Sequence, residues 1–85
     1  MEIQINRLPI KIVLYNNGCI SFERLTNFAT IVDSPEQGVQ AILSNEDMYI
    51  GADTVIEYEQ MYSYKQIPEL LSWIKAQGMK MPRFK

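Results

Sequence analysis

Side chains able to carry a reaction are few in this chain, and their types exclude most catalytic schemes. Histidine is absent, which removes the usual general base and the commonest metal ligand. The single cysteine, Cys19, follows Gly18 with neither a cation nor a helix start beside it to lower its pKa. Without histidine, neither Cys19 nor a serine has the partner that activates a nucleophile. One thiol and no imidazole also exclude zinc. A hard cation would have to rest on Glu46, Asp47, Asp53, Glu57 and Glu59, whose spacing is not that of a calcium loop. A pair of carboxylates cleaving a glycoside needs a substrate cleft, and 85 residues leave little room for one. The four glycines are scattered and form no phosphate-cradling pattern. These residues point away from an enzyme, a bound metal or a cofactor.

Charge says more. Ten acidic residues outnumber eight basic ones, for a net charge of −2, and the two signs are segregated. Residues 33–69 carry almost all the acids against Lys65 alone, whereas residues 70–85 carry Lys75, Lys80, Arg83 and Lys85 with no acid. The acidic stretch also holds most of the tyrosines: Tyr49, Tyr58, Tyr62 and Tyr64. Tyrosine brings large contact area at modest ordering cost and is enriched at interfaces. The expected function is a small non-catalytic protein-binding module, an inhibitor or regulator, presenting this acidic, tyrosine-rich surface to a basic site on a larger protein. The contact residues expected are Tyr49, Asp53, Glu57, Glu59, Tyr62 and Tyr64. One alternative is a self-associating structural or accessory protein, a homodimer built on an edge strand marked by Pro9. Another is a nucleic-acid binder using the basic tail from Lys80 to Lys85, which the net negative charge argues against.

The elements that must position these residues are legible from pattern. Ile3 and Ile5 alternate with polar neighbours, Pro9 interrupts, and Ile10 to Tyr15 is rich in β-branched residues. Asn16-Asn17-Gly18 then separates two strand-like runs, the signature of a hairpin. A two-residue loop would set Lys11 against Arg24. A three-residue loop sets Lys11 against Glu23, Ile12 against Phe22 and Leu14 against Ile20. Cross-strand pairs are worth about 0.2–1 kcal/mol each, and like charges cost as much, so the longer loop is expected, with Gly18 in the left-handed conformation. Asn27 to Val32 reads as a third strand.

Ser34-Pro35-Glu36-Gln37 has a capping residue, a proline suited to the first helical position, and a glutamine completing a capping box. Val39, Ile42 and Leu43 form the apolar stripe of that helix, and Asn45 should end it. Gly38 should weaken it by about 0.5–1 kcal/mol relative to alanine. Met48 to Ile50 and Thr54 to Gln60 read as a second hairpin, or as one strand bent at Gly51. In the longer run Ile56 and Tyr58 share one side, while Val55, Glu57 and Glu59 share the other. A last helix from about Gln66 to Gln77 carries Ile67, Leu70, Leu71 and Ile74 on one face, with Gly78 as its stop and Met79 folding back on Ile74. Trp73 lies off the stripe and should be partly exposed.

The order strand, strand, strand, helix, strand or hairpin, helix implies an α+β two-layer sandwich. Its sheet would be mainly antiparallel, with four to five strands and the two helices on one face. The expected extent is one domain over residues 1–79 and a short basic tail over 80–85. At 47% hydrophobic and 21% charged residues, the composition is that of an ordinary globular protein. No apolar run is long enough to span a membrane, and no secretory leader is expected. With a lone thiol, these features suit a reducing cytoplasmic setting.

Overall fold

The hairpin that opens the fold takes the register that its charges demand. In the computed structural model, which describes residues 8–23, 29–44, 48–62 and 65–84, β2 (Lys11–Leu14) and β3 (Ile20–Glu23) pair antiparallel. Lys11 stands opposite Glu23, Ile12 opposite Phe22, and Leu14 opposite Ile20. Gly18 has φ of +92°, a value that an L side chain rarely adopts and glycine takes without steric cost. Tyr15 and Cys19 close the turn through the Tyr15 N–H and the Cys19 carbonyl at 3.0 Å. Before the hairpin lies β1 (Leu8–Pro9), and after it β4 (Ala29–Val32) pairs antiparallel with β3. The strand-like start at Ile3 and Ile5 and the first two residues of the expected third strand, Asn27 and Phe28, lie outside the described residues, as does the expected helix end at Asn45.

Helix α1 (Pro35–Leu43) begins as its sequence prescribes. Ser34 is the N-cap, and its hydroxyl accepts from the Gln37 N–H at 3.4 Å. Val39 and Ile42 are buried, while Leu43, expected in the stripe, is 44% exposed. Gly38 is a correction to the sequence reading. A Cβ added there would overlap the edge of the Phe22 ring, so this residue lets α1 lie against β3.

The second half of the chain runs alongside the first. Strand β5 (Met48–Tyr49) pairs parallel with β1, and β6 (Val55–Tyr58) pairs parallel with β2. The expected hairpin is not formed, and instead of one strand bent at Gly51 there are two strands in different sheets, joined by a turn at Gly51. Thr54, fully buried, closes the bend: its N–H donates to the Gly51 carbonyl at 3.0 Å, and its Oγ1 accepts from the Gly51 N–H at 2.9 Å. Helix α2 (Ile67–Ala76) follows, with Leu70 and Ile74 fully buried and Ile67, Leu71 and Trp73 packed at the core margin. It ends in a Schellman motif, with the Met79 N–H on the Ile74 carbonyl and the Gly78 N–H on the Lys75 carbonyl.

Residues 80–85, read as a basic tail, contribute a strand. β7 (Arg83–Phe84) pairs parallel with β6, placing Arg83 beside Val55 and Phe84 beside Ile56. Parallel neighbours need a long crossover, and α2 supplies the one between β6 and β7. The main sheet therefore has the order β4-β3-β2-β6-β7, antiparallel in one half and parallel in the other, with a small β1-β5 sheet beside it. The architecture is α+β, a mixed sheet of five strands with two helices. One apolar cluster joins Ile12, Leu14, Ile20, Phe22 and Ile56 to Val39, Ile42, Leu70 and Ile74. Full burial of such a side chain contributes about 1.5–3 kcal/mol. Among the described residues no helix is long and apolar enough to cross a membrane.

Candidate functional site: the outer face of the sheet

Strand alternation decides which side chains the helices leave uncovered. Ile12, Leu14, Ile20, Phe22 and Ile56 point into the core, so Lys11, Val13, Ser21, Glu23, Val55 and Glu57 occupy the other face. Register adds Ile31 beside Ser21 and Arg83 beside Val55. Ile31 is 66% exposed, and Val13, Val55, Lys11 and Glu57 are half-buried.

The charges on this face are interleaved. The Lys11 ammonium lies 3.3 Å from Glu57 Oε2. Glu23, although opposite Lys11, accepts from the Ser21 hydroxyl at 2.8 Å. A shallow groove of about 460 Å³ lies toward the β7 edge; Lys11, Asp53, Val55, Glu57, Arg83 and Phe84 are among the residues lining it. Val55 is among its apolar lining residues. Lys11 and Arg83 flank Val55 on the neighbouring strands, while Asp53 and Glu57 precede and follow it along the chain.

The sequence-derived contact residues are divided by the fold. Asp53 and Glu57 meet in this groove. Tyr49 joins them through Asp53: its hydroxyl donates to Asp53 Oδ2 at 2.6 Å. That hydrogen bond, with some burial and the adjacent negative charge, holds the Tyr49 pKa above the ordinary tyrosine value of 10.0. Glu59 and Tyr62 follow the C-terminal end of β6, whereas Asp53 precedes its start. There Glu59 Oε1 accepts from the Asn16 N–H at 2.8 Å, tying the hairpin turn to β6. Tyr62 is only 6% exposed, and its hydroxyl donates to Gln66 Oε1 at 3.2 Å. Gln66 Nε2 in turn donates to the Gly18 carbonyl at 3.0 Å. These bonds assemble the turn, and the Tyr62 ring packs beside Tyr58 with centroids 6.4 Å apart. Tyr64, and the extension of the acidic run at Glu46 and Asp47, lie outside the described residues.

Lys11, Val55 and Arg83 were missed as one site by sequence reasoning. Their positions are far apart in the chain, and only the parallel pairings bring them together. The alternation of Lys11 with Ile10 and Ile12 marked it as outward-facing, but nothing in the sequence named its neighbour on β6. Among the described residues no group of three His, Cys, Asp or Glu side chains is placed to hold a metal ion. No family model, curated protein or solved structure matches the chain.

Proposed function

We propose that this chain is a small non-catalytic protein-binding module, of the inhibitor or regulator kind, acting through the uncovered face of its sheet. The observation that carries this reading is the make-up of that face. Ile31 is 66% exposed there, Val13 and Val55 are half-buried, and four charged side chains surround Val55. A sheet face on which Ile31, Val13 and Val55 are interleaved with charged side chains offers the apolar and the polar contacts that a protein interface combines. Asp53 and Glu57 supply the negative charge that a basic site on a larger protein would meet, with Glu59 just beyond the end of β6. Tyr49 extends the surface at the Asp53 end.

Replacement of an outward residue should remove binding without touching the core. An immobilised chain is compared with its Val55→Asp and Leu43→Lys variants in capture from the native host. Leu43 is an exposed residue of the helix layer. A partner retained by the wild type and by Leu43→Lys, but lost by Val55→Asp at an unchanged melting temperature, supports the reading. Retention by all three chains would place the contact elsewhere. Self-association is the second reading, favoured by the equal mixture of signs around Val55.

A further inference from the structure

The charges around Val55 form a cross. One arm is basic and runs across the strands from Lys11 to Arg83. The other is acidic and runs along the chain from Asp53 to Glu57. Strands lie about 4.8 Å apart and rise about 3.3 Å per residue. The basic arm is therefore about 10 Å long; of the acidic arm, Glu57 lies two residues along β6 from Val55, and Asp53, in the turn that precedes β6, lines the same groove.

We propose that this cross is a self-complementary docking surface whose occupant is a second copy of the chain, its sheet stacked face to face and crossing the first at about 90°. This rests on the reading of the outer face as a contact surface. Symmetry and charge together select this arrangement. A two-fold axis lying in the interface, midway between the strand direction and the cross-strand direction, exchanges the two arms. Asp53 and Glu57 of one copy then lie over Lys11 and Arg83 of the other, and Val55 lies over Val55. An aligned stacking, with the axis along or across the strands, lays acid on acid and base on base. Charge thus selects the orthogonal arrangement and rejects the aligned one. The Lys11–Glu57 pair within one copy is compatible with this. Its side chains are 38% and 26% exposed, so each can add a second opposite charge from above.

Sedimentation equilibrium of the purified full chain tests the proposal. The wild type should form a dimer of the 9.9 kDa chain below millimolar concentration. Its dissociation constant should rise by about tenfold from low to high salt, since partly exposed charge pairs are screened. Lys11→Glu with Arg83→Glu makes the cross wholly acidic. Asp53→Lys with Glu57→Lys makes it wholly basic. Each double variant alone should be monomeric, and their equal mixture should restore a dimer containing one of each. Where either double variant melts early, the single variants Arg83→Glu and Asp53→Lys leave the Lys11–Glu57 pair intact and carry the same test, with a weakened dimer alone and a stronger one on mixing. A wild type that stays monomeric to millimolar concentration overturns the proposal, as does a mixture no more associated than its parts. In that event, capture of a different protein that is lost on Val55→Asp would leave the contact-face reading standing and remove only the second copy as its occupant.

Discussion

Gly38 shows how a residue can be read correctly for its element and wrongly for its neighbours. By helix propensity it is a defect, and alanine should improve α1 by about 0.5–1 kcal/mol. In the fold, a methyl at that position collides with Phe22, a fully buried ring. Overpacking of this kind costs about 1–3 kcal/mol, so the sign reverses. Gly38→Ala should lower stability by about 2 kcal/mol in denaturant titration, and Phe22→Leu in the same chain should recover part of the loss. An increase in stability would mean that the helix is free to lift from β3. Met61 is the opposite case. It holds φ of +67° and is 90% exposed, a conformation that costs an L side chain about 1–2 kcal/mol. Met61→Gly should therefore raise stability by about 0.5–1 kcal/mol. At Tyr49 the effect depends on pH. The bond to Asp53 raises the pKa of the hydroxyl above 10.0, so the neutral form is the one the fold favours. Its stabilisation is whole below the ordinary tyrosine pKa and is lost as pH rises through the raised value. Ultraviolet titration of Asp53→Asn should show one tyrosine moving back toward the ordinary range, and a titration curve identical to the wild type would contradict the bond.

Elements whose information is local were legible, and those made by distant pairing were not. The hairpin register follows from Lys11 and Glu23 because a turn of fixed length couples residues close in sequence. The cap at Ser34 and the Schellman motif at Gly78 are likewise local, each set by a few adjacent residues. By contrast, Met48–Tyr49 and Val55–Tyr58 could be paired with each other or with something earlier, and their own pattern does not decide. Their parallel partners β1 and β2 lie some forty residues away. The β7 strand is shorter still. Two residues, Arg83 and Phe84, carry no period, and the buried Pro82 beside them is visible only in the fold. The interior stripe of α2 was clear, because Ile67, Leu70, Leu71 and Ile74 recur at helical spacing. Leu70 and Ile74 are fully buried, and Leu70→Ala should cost about 2–5 kcal/mol. A thermal melt unchanged by that substitution would show that α2 is not part of the cooperative unit.

The whole molecule divides its charged residues in a way that composition hides. Three carboxylates from the acidic middle of the chain are separately partnered: Asp53 with Tyr49, Glu57 with Lys11, and Glu59 with the Asn16 amide. Arg83 then returns to the same face on β7. A strongly acidic segment is thus folded into a surface of mixed sign, which can meet both signs on a partner. The central claim is that the outer sheet face makes the contact. With a second copy of the chain as the occupant, amide chemical shifts followed as the labelled protein is concentrated test it most directly, at low salt where charge pairing is strongest. Progressive shifts are expected at Val13, Val55, Glu57 and Arg83, with Val39, Leu43 and Trp73 in the helix layer unmoved. Shifts confined to the helix layer would contradict it.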